Sequence, residues 1–109
     1  MSGDFTGLAR LAATIEARRG ADPAVSYVAS LLAGGPEKAA RKLGEEAVET
    51  VLAAATGDRT ALVHESADLL FHLLVLWAAA GVDAADVMAE LTRREGVSGH
   101  EEKRRRNRE

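Results

Sequence analysis

The 109-residue sequence has no cysteine, one tryptophan, one tyrosine, two phenylalanines and only two prolines. Without cysteine it can form neither disulfides nor thiolate metal sites, which fits a cytoplasmic protein. Aromatics are 4% of the chain, whereas alanine and leucine dominate the 47% that is hydrophobic. That balance favours helices over sheets. No uninterrupted apolar run reaches the roughly 18 to 20 residues of a membrane span; the longest is 73–80. No basic start followed by an apolar block marks a signal peptide. Strand-like alternation and internal repeats are also missing. The length suits one domain, 1–109, whose thin core would gain from pairing with a second copy.

What is present is a series of helices punctuated by glycine. Gly20 stops a helix over 8–19, and Asp22-Pro23 offers an N-cap and a first-turn proline for a second over 22–33. Pro36 begins a third over 36–56, and Asp58 caps a fourth over 58–80. Asp83 with Asp86 has capping-box spacing for a fifth, and Ser98 with Glu101 repeats it for a short last helix over 99–108. Helices three and four are joined only by Gly57 and its neighbours, so they fold back as an antiparallel hairpin. The expected fold is an all-α bundle built on that hairpin and completed by dimerisation.

Charge is divided unevenly. Residues 1–92 carry 7 basic and 13 acidic side chains, whereas residues 93–109 carry 7 basic and 4 acidic. The body is acidic, and the segment 98–109 forms a basic tail.

The acidic residues follow a pattern. Glu46 and Glu49 lie three apart on helix three, and Glu65 and Asp68 lie three apart on helix four. Residues at that spacing share a face. Glu49 precedes Gly57 by 8 residues and Glu65 follows it by 8, so the hairpin can bring the pairs to one level. The sequence around Asp68 is apolar on nearly every side, which predicts a buried helix. No lysine or arginine lies between Thr60 and Thr92 to offset that carboxylate. A buried, unpaired carboxylate is costly unless it is protonated or paired. A hard divalent ion, Mg²⁺ or Mn²⁺ in its place, solves this and would share its remaining positions with substrate phosphates.

Further candidates surround the cluster. Glu45 either orients a water as general base or pairs with Arg41 or Lys42. His72, four residues after Asp68, either contacts a carboxylate or substrate or is a satisfied core histidine. Lys38 and Lys42 are one turn apart and could hold phosphates; Lys103 in the basic tail could reach them too. His64 and His100 read as exposed and uninformative, and Tyr27 either as a residue that stacks on substrate or as a buried helix-packing residue. Without interleaved aromatics the tail makes a poor nucleic-acid surface.

Glu45-Glu46-x-x-Glu49 followed by Glu65-x-x-Asp68 resembles the acidic motif of the MazG-like all-α nucleotide pyrophosphohydrolase superfamily. Gly35-Pro36-Glu37-Lys38 resembles part of the first acidic motif, and the segment around His72 and the Ser98–Lys103 stretch narrow the resemblance to the phosphoribosyl-ATP pyrophosphatase family. The resemblance implies Mg²⁺-dependent hydrolysis of a nucleotide substrate, phosphoribosyl-ATP, to phosphoribosyl-AMP and pyrophosphate, the second step of histidine biosynthesis. It implies that Glu46, Glu49, Glu65 and Asp68 hold the metal, that Glu45, Glu46 and Glu49 are the catalytic candidates, and that the protein is a homodimer. Two other readings share parts of the pattern: a housecleaning nucleoside triphosphate pyrophosphohydrolase, and a non-enzymatic helical dimerisation module.

Overall fold

A computed structural model describes residues 5–108, so both ends of the expected 1–109 domain lie outside the described residues. The described residues form six helices and no strand: α1 (Thr6–Ala17), α2 (Tyr27–Ala33), α3 (Gly35–Ala55), α4 (Arg59–Ala80), α5 (Ala84–Arg93) and α6 (Gly99–Arg108). The expected all-α hairpin fold is therefore observed.

The turn that makes the hairpin follows from its residues. Gly57 takes φ 74°, a left-handed conformation that glycine adopts without a Cβ penalty. Its N–H bonds to the Ala54 carbonyl, and the Asp58 N–H to that of Ala53, closing the end of α3. The Asp58 carboxylate then accepts from the Ala61 N–H at 2.9 Å and opens α4. One glycine and one aspartate thus reverse the chain, and α3 packs along α4.

The start of α2 differs from the sequence expectation. Ser26, not Asp22, is its N-cap, accepting from the Ala29 N–H at 3.1 Å. The Asp22 side chain bonds the Ala24 N–H only two residues on, while its carbonyl accepts from Val25 and Ser26. Asp22-Pro23 therefore builds an isolated turn, which satisfies the same local preferences as a helix start.

Ile15, Leu31, Ala39, Leu74 and Val75 form the buried core where α1, α2, α3 and α4 meet, with Phe71 and Trp77 packed against it. Arg19 donates to the Ala78 carbonyl at 2.8 Å and fastens the end of α1 to α4. The basic tail contains a buried acid: Glu102, 4% exposed, accepts from Arg93 at 2.7 Å and ties α6 to α5.

The expectation that α4 is buried all round is not met within this chain. Only His72, Leu74 and Val75 are buried on it, and 17% of its most apolar stretch is enclosed. By length and composition α4 could cross a membrane. However, it carries Glu65 and Asp68 near its middle, and charges there cost roughly 2.5–3.5 kcal/mol each in a bilayer. Val63 and Leu70 on α4, and Val48, Val51 and Leu52 on α3, remain exposed at helical spacing. A single copy leaves these stripes uncovered because its remaining helices reach only part of the hairpin.

Candidate metal and phosphate site

Two helix faces supply the site. On α3, Glu46 and Glu49 lie one turn apart; on α4, Glu65 and Asp68 do the same. The turn at Gly57 sets the two pairs at one level. Carboxylate oxygens of Glu46, Glu49 and Glu65 all lie within 4.8 Å of one another, and Glu65 and Asp68 form a second such group with His64. Glu65 belongs to both groups, whereas Asp68 is grouped with Glu65 and His64 and not with Glu46 and Glu49.

Their environments differ. Glu46 is the buried member at 9% exposure, and its Oε2 has no hydrogen-bond partner among the described residues. Glu65 Oε2 is also screened from solvent without a partner. Glu49 is exposed. Asp68, expected to be buried, has a side chain 42% exposed, because its side of α4 is only partly covered. It also has a local partner after all: His64 Nε2 lies 3.5 Å from its Oδ2, at i,i+4 spacing that was visible in the sequence.

Crowding shifts the titration of two of these groups. Burial first, and then the Glu49 charge, push the Glu46 carboxyl above its usual 4.5. A hydrogen-bonding contact with Glu49, followed by burial, pushes Glu65 up from the same value. Like charges held this close disfavour one another's ionised form. Folding therefore gains full benefit from these protons below the unfolded value of about 4.5 and loses it as pH rises through the raised folded values. Chelator-treated protein should accordingly melt at progressively lower temperature as pH climbs from 4.5 toward neutrality, and added Mn²⁺ should reverse the trend. Melting curves across that range, with and without Mn²⁺, check this; a chelated protein that grows more stable with pH would contradict it.

The flanking candidates separate into those near the cluster and those turned to other partners. Lys42 Nζ lies 3.3 Å from Glu45, so Glu45 pairs with Lys42 and stands outside both carboxylate groups. The contact with Glu45 raises the Lys42 ammonium above its usual 10.5, and Lys42 lies one turn before Glu46 on α3. Lys38 is exposed and reaches the Ser30 carbonyl at 3.5 Å. Lys103 is exposed on α6, the helix tied to α5 through Glu102.

His72 is 6% exposed and both ring nitrogens are engaged within the chain. Nδ1 lies 2.8 Å from the Asp68 carbonyl, to which only an N–H can donate, so Nε2 accepts from the Tyr27 hydroxyl at 3.1 Å. Its bonds reach Asp68 through the main chain and Tyr27 through the hydroxyl. Tyr27 corrects a second expectation. It is 54% exposed, with its ring 6.1 Å from that of Phe71.

Three carboxylates with two unpartnered, screened oxygens form an oxygen-only donor set suited to Mg²⁺ or Mn²⁺. The profile describing phosphoribosyl-ATP pyrophosphohydrolases matches residues 8–95, most of the chain and all of this cluster. The chain belongs to the phosphoribosyl-ATP pyrophosphohydrolase family. Proteins named phosphoribosyl-ATP pyrophosphatase are similar to it along nearly their whole length. The Rhizorhabdus wittichii protein is 65% identical over 96 residues, 88% of this chain and 91% of its own. The Cereibacter sphaeroides protein is 62% identical over 96 residues, 88% of this chain and 93% of its own. The Paracoccus denitrificans protein is 61% identical over 104 residues, 94% and 96% respectively. The phosphoribosyl-ATP pyrophosphohydrolase profile ends before Ser98, so the basic tail lies beyond the matched segment.

Proposed function

We propose that this protein hydrolyses phosphoribosyl-ATP to phosphoribosyl-AMP and pyrophosphate in the histidine pathway, as a cytoplasmic homodimer that depends on Mg²⁺, with Mn²⁺ able to replace it. The observation that carries the reading is the meeting of Glu46, Glu49 and Glu65 oxygens within 4.8 Å in a member of this family.

Glu46, Glu49, Glu65 and Asp68 would hold the ion. When bound, Mg²⁺ supplies Lewis-acid polarisation of the phosphoryl oxygens. Cleavage between the α- and β-phosphates by water needs a proton acceptor. Glu45 and Glu49 are both exposed; Glu45, paired with Lys42 and outside the proposed ligand set, is the acceptor that the ion would leave unbound. Lys42, one turn before Glu46, with Lys38 one turn before it, would hold the charge of departing pyrophosphate. Lys103 would assist only if α6 approached them. The exposed Val48, Val51 and Leu52 on one face of α3, with Val63 and Leu70 on α4, support pairing with a second copy, because apolar side chains clustered on a surface mark an interaction face.

A panel of phosphoribosyl-ATP, ATP and deoxynucleoside triphosphates tests the substrate. Pyrophosphate release should be far faster from phosphoribosyl-ATP than from the others. Preference for the free triphosphates would favour a housecleaning role for the same carboxylates.

A further inference from the structure

Thr50 was not singled out by its sequence, yet it sits one turn after Glu46 and beside Glu49. Its Oγ1 lies 2.8 Å from the Glu46 carbonyl and 3.2 Å from the Glu65 carbonyl. A hydroxyl has one proton to donate, so the two carbonyls share it. The bond to Glu46, four residues back, is an ordinary one for a helical threonine. The bond to Glu65 is different, because it crosses from α3 to α4 between sequence positions 15 apart. Apart from the contact between the Glu49 and Glu65 carboxyls, no other hydrogen bond joins α3 to α4 directly among the described residues.

Its location opposes a specific force. At this level of the hairpin the facing side chains are carboxylates, whose mutual repulsion drives α3 and α4 apart. Thr50 contributes no charge and pulls the same two main chains together. It acts on the backbone at Glu46 and Glu65, whose side chains carry the screened, unpartnered oxygens.

We propose that Thr50 is a positioning residue of the carboxylate site: its hydroxyl, shared between the Glu46 and Glu65 carbonyls, sets the separation of α3 and α4 at which Glu46, Glu49 and Glu65 meet. The inference rests on reading that cluster as a divalent-cation site. Loss of the hydroxyl lets the helices separate, and the oxygens then no longer converge on one ion. Groups that orient ligands without touching the metal typically change affinity by about 10- to 100-fold when removed.

The test is Mn²⁺ binding by calorimetry to the full chain without nucleotide, with circular dichroism on the same samples. Thr50→Val keeps the shape and removes the hydroxyl; Thr50→Ser keeps the hydroxyl; Thr50→Ala removes it without crowding the helix contact. Val and Ala should each weaken Mn²⁺ binding by about 10-fold or more. Ser should stay within about threefold of the parent, and helical content should be unchanged in all three. Equal Mn²⁺ affinity in the parent and in Thr50→Val would overturn the positioning role while leaving the cation site intact. Equal losses in Ser and Val would overturn it as well, since the hydroxyl would not be the cause. Loss of the helical fold in both Val and Ala would assign the hydroxyl to folding rather than to the site. A parent protein that takes up no Mn²⁺ sinks the cation reading itself, and the positioning role with it.

Discussion

Glu49→Gln should lower pyrophosphate release by about 1,000-fold or more while leaving a protein at least as heat-stable as the parent when no metal is present. The first effect follows from the chemistry of the site. Stabilisation of developing phosphoryl charge by a bound cation amounts to several kcal/mol, and each 1.36 kcal/mol is about tenfold in rate. Gln keeps the size of Glu49 but removes the charge from a carboxylate that lies within 4.8 Å of both Glu46 and Glu65.

The second effect has the opposite sign and separates loss of chemistry from loss of fold. The Glu49 carboxylate beside them helps to push both Glu46 and Glu65 above their usual range. Neutralising it lets those two ionise more readily in the folded protein, so the strain of crowding falls at neutral pH. Activity assays and thermal melts in chelator, run together on Glu49→Gln, check both effects. Full Mg²⁺-dependent turnover would remove Glu49 from the ligand set. A melting temperature many degrees lower would show that the cluster is not repulsive as described.

Val51→Glu should convert a dimer into a folded monomer. Val51 is 65% exposed on α3, between Val48 and Leu52, on an apolar stripe left exposed among the described residues. In a two-fold interface the same substitution is made twice. Truncating a central contact costs about 2 kcal/mol or more. Twice that is about 4 kcal/mol, or roughly a 1,000-fold weaker dimer. Light scattering or sedimentation over a range of concentrations measures it. Because Val51 is solvent-facing within one copy, helical content should survive. An unchanged dimer would place the interface elsewhere, and a parent chain that is monomeric at every concentration would remove the proposed pairing.

How far the sequence reached depends on whether each feature was local. The hairpin was legible because Gly57 and Asp58 terminate and restart helices through bonds to residues within five positions. The carboxylate convergence was legible because equal spacing from one turn translates directly into equal height. Asp22-Pro23 misled for the same reason: its preferences are local, and a single turn satisfies them as fully as a helix does. Features that depend on distant partners were hidden. Glu102 sits at the front of the Lys103–Arg106 run in a tail that looks solvated, yet Arg93 from the preceding helix pairs with it where it is buried. Tyr27 looked like a packing residue, whereas its hydroxyl reaches across to His72. Asp68 seemed buried because its neighbours are apolar, but burial depends on what covers those neighbours, and one copy of the chain covers only part of α4.

The most direct measurement is pyrophosphate release from phosphoribosyl-ATP by chelator-stripped protein, first without any divalent cation and then with Mg²⁺ restored. Carboxylates gathered to hold a cation predict no release above background in the first condition and full release in the second. Undiminished turnover in the stripped protein would mean that Glu46, Glu49, Glu65 and Asp68 meet for some other reason.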